Sequence, residues 1–198
     1  MKGLQLSCFM CISLLILAAP VLFAEDENTI AGQELNRDRF PEALGFQYGQ
    51  ISGAGLSYHR WYGSTGVQIA GGILYFPVAT DTIVDFVLDY SLGVQVNSSV
   101  FASDYSDRVA GQLYLIGGVS HRGFIEREFD DGIDQNSAGP FIPSIGVGAG
   151  LGIEIVLFEH FSIPIELLYA GIWEGSNRPF VEQIRIDLTP QAGFRYRY

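Results

Sequence analysis

The sequence lacks most of what a disulfide-, metal- or nucleic-acid-dependent protein needs. Its only cysteines, Cys8 and Cys11, sit within the first two dozen residues. A C-x-x-C pair elsewhere suggests redox or metal chemistry, but here it belongs to a segment with the features of a leader. The only lysine is Lys2, so beyond residue 24 ten arginines stand against 22 acids, a formal charge of −12. Such a field repels phosphates and excludes nucleic-acid binding through bulk charge. Unbroken apolar runs of membrane-helix length are missing too. The two long uncharged stretches, 61–80 and 135–153, are interrupted by Gly and Pro and carry Gln, Ser or Thr, whereas a spanning helix needs about 20 predominantly apolar residues. What the chain does have is 48% apolar residues and 24 glycines, with only 17% charged. In so acidic a chain the apolar excess requires an explanation.

The leader comes first. Lys2 supplies a positive start, Ile12–Leu17 with its flanks a short apolar run, and small residues lead to Ala24 before Glu25-Asp26-Glu27. That order marks a secretory signal peptide over 1–24. Leu22 is bulkier than usual three residues before the cut, which leaves an uncleaved anchor as the alternative. Neither cysteine follows the apolar run as a lipidated one would. Export leaves 174 residues: a polar, flexible N-terminal segment over 25–42 and a single domain over 43–198.

Within that domain the apolar residues recur with a period of two. From Ile184 to Tyr198 every even position is apolar or aromatic (Pro190 included), while the odd ones are Arg185, Asp187, Thr189, Gln191, Gly193, Arg195 and Arg197. The same alternation runs through Val84–Val96, Thr65–Tyr75 and Phe161–Glu174. Gly146, Gly148, Gly150 and Gly152 leave all bulky residues of their segment on one side of a strand, whereas a helix would scatter them, so period two decides for strands. Alternation alone also suits a soluble antiparallel sandwich. Three features favour a membrane barrel: strands of about ten residues or more, aromatics such as Trp61, Tyr62, Tyr75, Phe161, Trp173 and Tyr198 near strand ends, and a non-apolar face made of glycine and charge.

Eight strands are expected, at 43–50, 53–62, 65–76, 83–97, 108–122, 142–157, 160–174 and 183–198. The fold class is therefore all-β, an eight-stranded antiparallel up-and-down transmembrane β-barrel. Tight turns fall at Gly63-Ser64 and Phe158–His160, a longer connection at Ser98–Asp107, and outer loops near Ile51, at 77–82, 123–141 and 175–182.

The ending Gln191-Ala192-Gly193-Phe194-Arg195-Tyr196-Arg197-Tyr198 resembles the C-terminal insertion signal of outer-membrane barrels, with Gln191, Gly193, Tyr196 and Tyr198 at its key positions. Segments such as Gly55–Tyr62 and Gly146–Glu154 are similar to small OmpA/OmpX-like barrels. The resemblance covers 43–198 and implies folding by the outer-membrane barrel assembly machinery, outer-membrane lipids as surroundings and a monomer. It implies no particular activity, and it carries over no peptidoglycan-binding domain.

An eight-stranded barrel has an interior that side chains can just fill. Alternation turns His59, Asp85, Asp89, Arg122, Glu154, Glu166, Arg185, Asp187, Arg195 and Arg197 inward, five acids against four arginines. Unpaired buried charge costs several kcal/mol, so these residues are expected to form an internal charge network in which Arg195 reaches Glu166. The four alternating glycines are expected to make room for larger neighbours such as Arg and Tyr. They fail G-x-G-x-x-G, and no lysine follows them for a phosphate loop.

No catalytic residue, cofactor or metal is assigned. Ser57 and His59 share a face, but such a pair is common by chance; Ser120 and His121 point to opposite faces. The acidic stretch Glu126–Asp134 matches no EF-hand spacing, and Asn97-Ser98-Ser99 is an accidental sequon. The expected role is a non-enzymatic structural or surface-interaction barrel of the bacterial outer membrane. A narrow channel or small hydrophobic-solute transporter is the alternative, and a lipid A-modifying enzyme a third reading. The detergent-extracted protein should show β-type circular dichroism and heat-modifiable gel mobility; recovery from the soluble periplasm without surfactant would overturn the architecture.

Overall fold

The computed structural model describes residues 36–75, 86–106, 108–129, 136–175 and 183–198. The leader, residues 25–35, the expected loop at 77–82 and residues 176–182 lie outside them. A single helical turn, α1 (Asn36–Arg39), precedes eight strands: β1 (Glu42–Gly49), β2 (Gly53–Tyr62), β3 (Thr65–Tyr75), β4 (Phe86–Ser106), β5 (Val109–Phe129), β6 (Asn136–Leu157), β7 (Phe161–Glu174) and β8 (Ile184–Arg197). Each strand pairs antiparallel with its sequence neighbour, and β8 closes onto β1, giving an all-β, eight-stranded barrel. Closure satisfies the ladder groups that an open sheet would leave bare at its edges.

The alternation sorts side chains as an inside-out protein requires. Phe46, Leu56 and Ile186 are 64%, 69% and 67% exposed, whereas Glu154, Glu166 and Arg195 are at most 1% exposed. In water each such apolar side chain forfeits about 1.5–3 kcal/mol relative to burial; against acyl chains that penalty disappears. On β6 the outward residues run from Ile145 to Ile155. Ten residues at about 3.3 Å each and a tilt near 40° span about 25 Å, the height of a barrel's apolar band. Aromatics cap both ends of that band. Phe161 contacts Phe194 and Tyr196 at the end with tight turns. Tyr90 stacks between His121 and Phe141 at the other, covering Gly123.

Five departures from the sequence expectation have physical causes. The connection expected at Ser98–Asp107 is strand, paired from Ser98↔Leu115 to Ser106↔Val109, with irregularities at Ser99/Phe101 and Asp104/Ser106 that break the period-two signal. The loop expected at 123–141 is strand at both ends, with pairing out to Phe129↔Asn136; Asp130, Asp131 and Asp134 lie outside the described residues. Trp61 is not in an aromatic girdle. It is 3% exposed in the lumen, with its ring 5.0 Å from His59 and 6.0 Å from Tyr114, in space left by Gly66.

The last residues of the segment expected to be flexible are docked. Asn36 N donates to Asp104 Oδ2 (3.1 Å) and Asn36 Nδ2 to the Glu159 carbonyl (3.0 Å), while the Phe40 ring packs tilted against His160. That places α1 beneath the tight-turn end of the barrel. The fifth departure is the connection expected to form an outer loop near Ile51. It folds into the barrel instead, and Ile51 is fully buried.

Because β1 stops at Gly49 and β2 begins at Gly53, the wall is uneven. β8 pairs with β7 from Ile184 onward but with β1 only from Ala192. β3 pairs with β4 as far as Tyr75 but with β2 only as far as Gly71. β6 and β7 approach so closely that a Cβ on Gly150 would run into the Leu167 carbonyl, whereas one on Gly171 would meet nothing within 4 Å. Gly150→Ala should therefore lower barrel stability by about 3 kcal/mol, and Gly171→Ala should stay within about 0.5 kcal/mol of the parent. Urea unfolding in detergent micelles reads both.

Candidate functional site

The lumen is filled by a cluster to which every strand contributes. Arg197 Nη2 lies 2.6 Å from Glu154 Oε2, and Ser162 Oγ donates to Glu154 Oε1 at 2.6 Å. Arg195 sits between the two glutamates, 3.6 Å from Glu154 and 3.9 Å from Glu166. Its Nη2 also donates to Gln47 Oε1 (3.1 Å) and to Gln68. Glu166 Oε1 accepts from the Tyr114 hydroxyl (3.0 Å). Its Oε2 accepts from Gln191 (3.2 Å) and from Gln47 and Gln95 (3.4 Å each). His59 on β2 meets the Asn97 amide at 3.4 Å. Two carboxylates and two guanidinium groups thus balance in a space with no bulk water. Removing one member leaves an uncompensated buried charge, which costs about 3–5 kcal/mol.

Sequence reasoning named the charged members but not Gln47, Gln68, Gln95, Tyr114 or Ser162. Parity places these inward as it does the charges, but being neutral they carried no demand for a partner that would have drawn attention to them. Gln191 was singled out only for the C-terminal pattern, yet it links two parts of the lumen. Beyond its bond to Glu166, its Oε1 accepts from the backbone N–H groups of Ile51 (2.9 Å) and Ser52 (2.6 Å). These bonds hold the β1–β2 turn inside the barrel. The Ile51 side chain occupies the space left by Gly118, Gly146 and Gly148, and Tyr114 the space left by Gly152. No arginine takes that role. Ile51 therefore seals the lumen above the charge cluster. Of the C-terminal pattern, Gly193 faces Gln47, Tyr196 is exposed beside Phe161, and Tyr198 N donates to the Glu42 carbonyl at 2.9 Å.

The other charged residues of the expected network are not in this cluster. Asp89 and Arg122 form a two-pronged pair (2.9 and 2.5 Å) at the open mouth, with the Arg122 side chain 52% exposed. Arg185 pairs with Asp187 and lies 3.9 Å from Glu174, again half exposed. Alternation assigns a residue to a side of the wall but not to a height, and these four sit too near the rim to be buried. Asp85 lies outside the described residues.

Ser57 and His59 are buried, and the hydrogen-bond partner found for His59 among the described residues is Asn97, not a carboxylate. His121 faces outward, where its Nδ1 lies 3.2 Å from the Tyr90 hydroxyl. His160 Nδ1 lies 2.9 Å from the Arg197 carbonyl. Among the described residues no group of three or more His, Cys, Asp or Glu could hold a metal.

No family model matches the sequence, nor does any curated protein. Among solved structures, the chain is similar to the N-terminal β-barrel domain of Pseudomonas aeruginosa OprF, at 13% identity and a TM-score of 0.44, over 84% of this chain and 100% of that one. It is also similar to Ail, the attachment invasion locus protein of Yersinia pestis, at 15% identity and a TM-score of 0.36, over 80% and 97%.

Arg195→Leu should lower the unfolding free energy by about 3–5 kcal/mol by stranding Glu154 and Glu166. Arg122→Leu, which breaks a mouth pair open to water, should cost less than about 1 kcal/mol. Chemical unfolding in micelles or vesicles separates the two; equal losses would mean that the mouth pair is buried.

Proposed function

We propose that this protein is an integral β-barrel of the bacterial outer membrane, non-enzymatic and non-conducting, with a structural or surface-interaction role. The observation that carries the reading is the inversion of sides: apolar residues cover the outside of a closed sheet, and paired ions fill the inside. Closed barrels are one of two architectures that hydrocarbon tolerates, because every backbone group must find its partner within the protein. Export by the leader 1–24 and handling by the barrel assembly machinery through Gln191, Gly193, Tyr196 and Tyr198 belong to the same reading, as does a monomer in outer-membrane lipid.

The surface role is supported by the β5–β6 hairpin. Its pairing runs to Phe129↔Asn136, whereas among the described residues β6 bonds the β7 end only as far as Pro143, whose carbonyl accepts from Gly175 N, so the described hairpin extends past the described end of β7. Pro140 lies on this stretch of β6, where a missing N–H blunts pairing with a stray strand. The channel reading is weakened by Ile51, Tyr114, Arg195 and Arg197, all at most 1% exposed across the lumen. The enzyme reading is weakened by the burial of Ser57 and His59.

Planar-bilayer recordings should show no stepwise conductance, and a steady open pore would overturn the sealed-lumen reading. An epitope inserted between residues 131 and 134 should be stained by antibody on intact cells. Staining only after outer-membrane permeabilisation would place the hairpin on the wrong side.

A further inference from the structure

The uneven wall creates a site of its own. Among the described residues, β8 has no ladder partner on its β1 side over Ile184–Gln191, and β3 has none on its β2 side over Gly72–Tyr75. Above Gly72, which still lies against Ala54 and Gly55, β1 and β2 are absent among the described residues, and the opening spans on the order of 14 Å between backbones and 10 Å along the barrel axis, from the usual strand spacing, rise and tilt. It lies within the apolar band, because both flanks still carry greasy outward residues. Ile186 and Leu188 on β8 are 67% and 57% exposed, and Ile73 and Tyr75 on β3 are 69% and 65% exposed. Leu74 lies on the inward parity of β3 yet is 56% exposed; among the described residues it pairs with Asp89 of β4 and has no strand on its β2 side.

Behind the opening lies a polar cup. The fully buried Ile51 turn closes the bore beneath it, and the cup's walls carry the Asp89–Arg122 and Arg185–Asp187 pairs and Ser91, whose hydroxyl bonds the Ala54 backbone. A sheet edge facing acyl chains with unpaired N–H and C=O groups is costly, several kcal/mol for each group left without a partner. The opening therefore needs an occupant that brings hydrogen-bonding groups to its inner side and hydrocarbon to its outer side.

We propose that the gap between β3 and β8 is a lateral binding site for a membrane amphipath, with its head group and polar linkage in the cup and against the strand edges and its acyl chain along the outward Ile73, Tyr75, Ile186 and Leu188. The inference rests on the membrane-barrel reading and adds a ligand class to it. The ligand enters sideways from the lipid phase, and the bore closed by Ile51 makes the cup a dead end. Both cup arginines are already paired, and Glu174 adds a third acid to Asp89 and Asp187. That balance disfavours an anionic head and favours a zwitterionic or hydroxyl-bearing one.

The test uses the full barrel in phosphatidylcholine nanodiscs, with Leu74→Trp as reporter in a Trp173→Phe background. Trp61, buried in the lumen, remains as an internal control. Lysophosphatidylcholine brominated on its acyl chain should quench the reporter saturably and leave Trp61 unchanged. The half-saturation point should rise at least tenfold in Arg122→Leu, and a brominated fatty acid should bind more weakly than the zwitterion. Quenching that rises linearly without saturation, or saturable quenching indifferent to Arg122→Leu, overturns the proposal. Disulfide cross-linking of Leu188→Cys between two copies in the nanodisc also overturns it, since the edge would then be covered by a second chain. Each variant is first shown to be folded by heat-modifiable gel mobility. Failure of that control would count against the barrel reading itself, whereas loss of binding in a folded barrel counts only against the site.

Discussion

A strand surrounded by hydrocarbon has nowhere to send its backbone hydrogen bonds except to another strand, and a sheet can meet that demand for every strand only by closing. The rest of this molecule follows from closure. Once β8 meets β1, the ring has an inside too narrow for bulk water, and whatever lies there must be satisfied within the protein. The apolar side is the one left for lipid, so the polar half of each alternating strand turns inward. Glu154, Glu166, Arg195 and Arg197 then have to neutralise one another, because no solvent is available to do so.

The parts legible in the sequence were those in which local pattern and global position agree. Over β7 and β8 alternation proceeds without a bulge, and it located Arg195, Arg197 and Glu166 on the inner side. Where a bulge intervenes, as between Ser99 and Phe101, the period slips and the strand reads as a loop. Trp61 shows two cues in conflict. Its place at a strand end suggested a girdle, while its parity with Ser57 and His59 pointed inward. Parity prevailed, because side-chain direction is fixed by the pleat whereas depth depends on the neighbours. The rim charges show the converse: parity gave Asp89, Arg122, Arg185 and Asp187 their side of the wall, but height along the axis depends on strand tilt and shear, which one strand does not reveal.

The glycines divide in the same way. Gly152 and Gly66 admit Tyr114 and the His59–Trp61 pair, an exchange of small for large across a lumen that composition alone made plausible. Gly118, Gly146 and Gly148 instead admit Ile51, a residue far away in sequence on a turn that nothing local marks as inward. The turn has an apolar residue between Gln50 and Ser52 and a left-handed glycine at Gly53 (φ 86°), features shared with many surface turns. Its direction is set by Gln191, which offers one carbonyl oxygen to two backbone N–H groups while its amide holds Glu166.

Gln191 therefore joins two features that would otherwise look unrelated. The charge cluster fixes the side-chain amide, the amide oxygen fixes the turn, and the turn places Ile51 across the lumen. A turn drawn inward in this way cannot also carry β1 and β2 up to the height of their neighbours. The wall is low because its missing length has been folded into the bore. Sealing the lumen and lowering the β1–β2 wall are thus one structural choice: a longer β1–β2 hairpin would extend the wall but withdraw Ile51 from the bore, leaving a barrel stoppered only by its ions.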